Sequence, residues 1–445
     1  MLAEIEERLD EPTARGLARA VGRAVSEGLL TPGTRLPPIR TVAVELALSP
    51  TTVSAAWNML VRSGTIQTDG RRGTVVSAHH AGPARYRRVL DEHESGFRLD
   101  LSTGTPDPAL LPDLGPALRR IRTEPVPGSY LDAPVIAPLE QLLGDDWPFP
   151  AERFAVVDGA MDALQLICAS LLHFGDRVGV EEPGFPPLLD LLDAIGAIPV
   201  AIRVDDDGPL PADVRAALSA GVRAIVIQPR AQNPTGASLT PERLDELARS
   251  LRGGDAVVVE DDSAGAVSSS PALSVGSVLP ARTLHVRSYS KSHGPDLRLA
   301  AVGGPAALID PIVDRRFLGQ GWTSRLLQAL LVDLLTHEPT IRTVARARDV
   351  YAERRASLVD ALAAHGVTVA GKDGMNVWIP VHDEASALLR LASRGIGVSP
   401  GEPFRVGDHS DGHLRVTAGL ITNDMDAVAA ELAAAALIGV RAGPR

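Results

Sequence analysis

The chain has 445 residues, 45% of them apolar and 22% charged, with a formal net charge of −11. That length accommodates two or three domains with a substantial core and excludes a wholly disordered chain. The single cysteine, Cys168, excludes internal disulfides and cysteine-built metal sites, and no apolar run reaches the roughly eighteen residues of a membrane span.

The acidic start MLAEIEERLD resembles no signal peptide, so a soluble cytoplasmic chain is expected, with no metal and no membrane partner. Residues 12–77 then predict helix, helix, helix, hairpin. Leu17, Ala20, Val21, Ala24 and Val25 form an apolar stripe at helical spacing, ended near Gly28 and followed by a Pro32-Gly33 turn. A short second helix is expected from about Pro38 to Leu46. The third opens on Ser49 as its cap with Pro50 at the first helical position, buries Val53, Ala56, Trp57 and Leu60, and stops at Gly64. Thr65 to Val76 alternates around Asp69-Gly70, which predicts a hairpin. This stretch holds eight Arg against Glu27, Glu45 and Asp69, a net of +5, so the remainder carries −16. A basic module on an acidic body points to a phosphate-bearing partner for the module.

Residues 79–98 are polar and aperiodic, as a tether is. Beyond them, apolar runs at 154–157, 177–180, 198–202, 224–228, 256–260, 283–287 and 299–302 alternate with helical segments such as 161–172, 186–195, 212–219 and 241–251. That alternation predicts a mainly parallel, seven-stranded sheet covered on both faces. After residue 340 a long Arg-rich helix leads into a smaller α+β unit with strands near 367–370, 375–380 and 413–417. The expected division is therefore 1–78, a 79–98 linker, 99–340 and 341–445.

Three helices and a hairpin fit a winged helix-turn-helix that places its third helix in the major groove of duplex DNA. The stretch LLTPGTRLPPIRTVAVELALSPTTVSAAWNMLVRSGTIQTDGRRGTVV resembles the GntR family. The likeness implies that Arg40, Thr51 and Thr52 touch operator DNA, and that Arg72 and Gly73 on the wing meet a phosphate or the minor groove. The chemistry agrees, since guanidinium forks match phosphates and guanine edges. Pro50 departs from the family, which usually has Arg after the capping Ser.

Of the 44 basic residues only Lys291 and Lys372 are lysines. An aldehyde cofactor needs a primary amine, which arginine cannot supply. Lys291 lies in VRSYSKSHGPDLRLAAV, which resembles the Schiff-base segment of fold-type I pyridoxal-phosphate enzymes. That resemblance implies that Ser288 and Arg298 bind the cofactor phosphate, with Gly159, Ala160 and Met161 closing the phosphate loop at a helix start. It further implies Asp261 at the ring nitrogen, Asn233 (in QNPTGA) at the phenolic oxygen, Phe185 stacked on the ring, and Tyr130 reaching the phosphate across a homodimer interface. Arg415, in GHLRVTAGL, matches the arginine that clamps a substrate or effector carboxylate. A GntR head on an aminotransferase-like body resembles the MocR-type regulators.

Three departures stand out. Ser263 occupies the place of a tyrosine whose phenol lowers the imine pKa, Asp296 replaces a usual Gly, and YLDAPVIAPLEQLL alters a Gly-rich stretch. The resemblance implies a pyridoxal-phosphate-dependent transcription regulator that senses an amine, an amino acid or vitamin B6, with little or no turnover. The alternative is a working aminotransferase with a fused DNA-binding module.

Overall fold

The computed structural model describes residues 1–26, 29–31, 33–62, 65–69, 73–77, 85, 96–121, 128–407 and 411–438. The opening residues, which carry no sequence signal for an element, form α1 (Leu2–Glu6), with Ile5 buried in the module's core. α2 (Ala14–Ser26), α3 (Ile39–Glu45) and α4 (Pro50–Arg62) follow. Leu17, Val21 and Ala24 of α2 pack against Val53, Ala56, Trp57 and Leu60 of α4, as the helical stripes require. Ser49 caps α4: Thr52 N donates to Ser49 Oγ at 3.0 Å. β1 (Ile66–Asp69) pairs antiparallel with β2 (Gly73–Val76), and residues 33–36 add to β2 through Gly33 N to Val76 O and Leu36 N to Thr74 O. The turn residue Gly70 and Arg72 lie outside the described residues, as do Gly28, Pro32, Gly64 and most of the tether.

The body begins with β3 (Leu99–Asp100), α5 (Leu114–Arg120) and α6 (Ala137–Asp145). The main sheet uses β4 (Arg153–Val157), β5 (Arg177–Glu182), β6 (Ile198–Asp205), β7 (Gly208–Pro209), β8 (Val222–Ile227), β9 (Val257–Asp262), β10 (Thr283–Ser288) and β11 (Ala300–Gly304). Their order is β4-β11-β10-β9-β8-β5-β6-β7. The sheet therefore has eight strands rather than seven. The extra one is β7, a two-residue return antiparallel to β6 that is too short to leave a periodic signal. β10, β9, β8, β5 and β6 run parallel, while β11 runs antiparallel between β10 and β4. Between them lie α7 (Ala160–Leu171), α8 (Pro186–Ala194), α9 (Pro211–Ser219) and α10 (Pro241–Leu251). The carboxyl ends of β4, β5, β8, β9 and β10 open on one edge, where ligands bind in open α/β sheets.

α11 (Ala306–Phe317), α12 (Arg325–Thr336) and the 27-residue α13 (Glu338–Ala364) lead to the C-terminal unit. There β12 (Asn376–Val381), β13 (Ile396–Gly397), β14 (Ser399–Pro400) and β15 (Gly412–Thr417) pack with α14 (Glu384–Ser393) and α15 (Met425–Ala436). β3 pairs with β13, so Leu99–Asp100 lies against this unit. The strand expected at 367–370 is absent. Gly366 and Gly371 both hold positive φ on either side of it, and Ala370 O is taken by the Arg355 guanidinium at 3.2 Å. No helix among the described residues is long and apolar enough to cross a membrane.

Candidate functional site

The sheet's topology gathers the residues picked out from sequence. Asp261 in β9 stands beside Val286 of β10, and the loop after β10 carries Lys291 back over the strand ends. Lys291 is half-buried, and its Nζ donates to Ser263 O at 3.2 Å. Burial pushes its ammonium below the ordinary value, Arg415 adds to the effect, and Asp261 pulls the other way. The neutral amine, the nucleophilic form, is thereby favoured.

Asp261 is buried, and Oδ2 accepts from Gln228 Nε2 at 2.8 Å. Its Oδ1 is buried with no partner in the protein. A buried carboxylate oxygen left unpaired is costly, so a donor on a bound group is the natural occupant. Burial raises the Asp261 carboxyl above its usual range, against the Gln228 hydrogen bond and the Lys291 charge. A protonated ring nitrogen of a cofactor would satisfy Oδ1 and restore the carboxylate.

Gln228, at the end of β8, was not singled out from sequence. Its amide donates to Asp261 and, at 3.2 Å, to Ser263 Oγ, while its Oε1 accepts from Asn233 N at 2.7 Å. One side chain thus joins three of the site's positions and occupies the Ser263 hydroxyl. Only a polar residue closing the apolar run AIVIQ hinted at it. Behind it lies Glu181, also missed, which accepts from Gln228 N at 3.1 Å and Gln232 Nε2 at 3.2 Å. Burial pushes Glu181 up to about 8. Asn233 Oδ1 meets Asn376 Nδ2 of the C-terminal unit at 3.4 Å.

The positions expected to seat the cofactor phosphate lie at the start of α7. Gly159 holds φ +101°, a conformation that favours glycine, and a Cβ there would stand 3.1 Å from Arg298 Nη2, so the guanidinium would have to shift to admit it. Arg298 itself sits at φ +47° and donates to Asp158 O at 3.2 Å. Ala160 and Met161 open the helix, and Ser288 Oγ accepts from Ser290 N at 3.3 Å. The nearby Asp158 carboxylate is answered by Thr323 Oγ1 at 2.7 Å and Arg316 Nη2 at 3.4 Å. Arg316 Nη1 also pairs with Asp162 at 2.6 Å. The two acids at this helix start are thereby offset.

Phe185 caps α8 at the carboxyl end of β5. Arg415 is buried on β15, lies over the Phe404 ring at 5.3 Å, and donates to the Ser102 carbonyl. Tyr130 is not brought to the others within one chain. It is 86% exposed, beside exposed Leu131, and stacked at 5.8 Å on Trp322, which lies in sequence between exposed Leu318 and Leu326.

On the module, Arg40 and Thr51 are exposed and Thr52 is half-buried at the start of α4. Ser49 Oγ lies 2.7 Å from both threonine hydroxyls. Gly73 holds φ +80° over the Arg35 guanidinium. Two of the eight arginines are otherwise engaged: Arg19 and Arg23 pair with Asp10, and Arg19 also with Glu11.

A winged helix on a fold-type I pyridoxal-phosphate body defines a one-chain transcription regulator. Residues 98–432 match the family "Aminotransferase class I and II", and residues 13–76 match "Bacterial regulatory proteins, gntR family". The chain belongs to the MocR-type regulators of the GntR superfamily, and pyridoxal 5′-phosphate is its cofactor. The vitamin B6 salvage pathway transcriptional repressor PtsJ of Salmonella typhimurium is 35% identical over 95% of this chain and 98% of its own. The pyridoxine biosynthesis regulator PdxR of Corynebacterium glutamicum is 26% identical over 93% and 97%. Among solved structures, Pyrococcus horikoshii kynurenine aminotransferase superposes with a TM-score of 0.70 at 22% identity, covering 80% of this chain and 95% of that one.

Proposed function

We propose that this chain is a vitamin-B6-responsive transcription regulator. Residues 1–78 read operator DNA, residues 79–98 tether them, and the body (99–340 with 341–445) binds pyridoxal phosphate and reports its presence. Arg40, Thr51, Thr52, Arg72 and Gly73 face the duplex. Lys291 holds the cofactor covalently, Asp261 its ring nitrogen, Asn233 its phenolic oxygen and Phe185 its ring face. Gly159, Ala160, Met161, Ser288 and Arg298 hold the phosphate, with Tyr130 added from the partner copy. Bound pyridoxal phosphate supplies an aldehyde for a primary amine and an electron-withdrawing ring.

The observation that carries this is the unpaired, buried Asp261 Oδ1 next to a lysine whose amine is shifted toward neutrality. Two features favour the cofactor itself as the effector over an amino acid. The Arg415 guanidinium already donates to a backbone carbonyl, and Ser263 offers no phenol. The full-length likeness to a repressor of vitamin B6 salvage supports the same choice. The test is to select an operator from random-sequence DNA with cofactor-free protein, then add cofactor or amines. Pyridoxal phosphate alone is expected to change affinity about tenfold or more, a shift of about 1.4 kcal/mol. A response only to an amine added afterwards would reverse the choice of effector.

Two further results are expected. Because the folded pKa of Lys291 is lowered, its neutral amine persists to lower pH. The rate of covalent capture should therefore rise with pH around a midpoint below the ordinary lysine value of 10.5. A midpoint at the ordinary value would contradict the buried placement. Sedimentation at micromolar concentration is expected to give a homodimer, which covers Tyr130, Leu131, Leu318 and Leu326. A cofactor-loaded monomer would contradict the role given to Tyr130.

A further inference from the structure

Two helices of the body start at the cofactor site and end at the DNA-binding module. α7 begins at the phosphate seat, Gly159–Met161, and stops at Leu171. Three residues later Phe174 leaves the body and packs on the module's core, its ring 3.4 Å from where a Cβ on Gly22 of α2 would stand. α8 is capped at its start by Phe185 and stops at Ala194. Just beyond it, Gly196 backs the Phe174 ring so closely that a Cβ would fall 2.3 Å from it. Gly175 N donates to Gly196 O at 2.8 Å, so the two helix ends are tied together.

The same end makes further contacts with the module and the tether. A Cβ on Gly175 would stand 3.0 and 3.2 Å from the Cγ atoms of Arg15 and Arg19 on α2. On α8, Asp190 accepts from Arg85 N of the tether at 3.0 Å, and Asp193 accepts from its guanidinium. The contact is therefore tightly built: a methyl at Gly196 would overlap the Phe174 ring, one at Gly175 would push the Arg15 and Arg19 side chains aside, and Gly22 leaves only contact distance.

Physical stiffness makes the arrangement consequential. At 1.5 Å per residue, α7 and α8 span about 18 and 14 Å, short enough to shift as rigid rods. A close-packed contact cannot absorb a displaced helix end by local compression, so the neighbour must move. That neighbour, α2, packs on α4, the helix that presents Thr51 and Thr52. We propose that α7 and α8 carry cofactor occupancy to the DNA-binding module through Phe174 and the Arg85 tether contact. The inference rests on the reading that pyridoxal phosphate is the effector.

Hydrogen exchange of the full-length protein, with and without pyridoxal phosphate, tests it. In the wild type the cofactor is expected to change exchange of α2 amides by about fivefold or more. Phe174→Ala should abolish that change, Arg85→Ala should reduce it, and the cofactor's visible absorbance and affinity should stay within about twofold in both. Phe174→Leu retains an apolar plug and should keep most of the response, which separates loss of coupling from loss of folding. A normal α2 response in a cofactor-binding Phe174→Ala protein overturns the path. If operator affinity responds to cofactor while wild-type α2 does not, the path alone fails. If neither responds in protein that carries the cofactor, the regulatory reading falls with it.

Discussion

Lys291→Ala is expected to abolish every borohydride-stable link between the chain and pyridoxal phosphate. The chain has one other lysine, Lys372, which is half exposed and ion-paired with Asp207, far from the chemistry in character as well as sequence. Overall affinity should fall by about a hundredfold, roughly 2.7 kcal/mol, and no further, because the phosphate seat and Asp261 remain. Peptide mapping after borohydride treatment checks the outcome. Label on Lys291 in the wild type and none in the variant is the expected result, and label on Lys372 would contradict it.

Arg40→Ala is expected to lower affinity for the selected operator by about 1–3 kcal/mol, from about fivefold to more than a hundredfold, and to flatten the salt dependence. Arg40 is exposed in the first turn of α3 and makes no ion pair among the described residues, so its guanidinium is free for a phosphate or base edge. Cofactor absorbance should not change, because no hydrogen bond or ion pair among the described residues links Arg40 to the body. Unaltered affinity in a gel-shift or anisotropy titration would mean that another face of the module meets DNA.

The positions that the fold-type I likeness singles out lie where strands of the parallel sheet end and apolar runs meet polar residues. Asp261, Asn233, Phe185, Gly159 and Lys291 each follow such a run, and topology alone brings these ends to one edge. What sequence hides is pairing across long separations. Asp158 looks like a charge that spoils the anion seat until Arg316 and Thr323, on and beyond α11, are seen to answer it. Gln228 looks like a strand terminus until its amide is found between Asp261, Ser263 and Asn233. The net charge of the basic module is likewise overstated when the window starts at Pro12, because Asp10 and Glu11 just outside it neutralise Arg19 and Arg23. Arg415 matches a carboxylate clamp in sequence, yet the Ser102 carbonyl reaches it first. The family likeness names the candidate positions, and tertiary pairing determines how they are tuned.

The central claim is that one event, cofactor binding at Lys291, sets the affinity of the winged helix for DNA. A single titration addresses it: pyridoxal phosphate added to cofactor-free protein mixed with labelled operator, with visible absorbance and operator anisotropy recorded in the same cuvette. Two curves sharing one midpoint, and both absent over that concentration range in Lys291→Ala, are the predicted result. An absorbance band that saturates while anisotropy stays flat would contradict it.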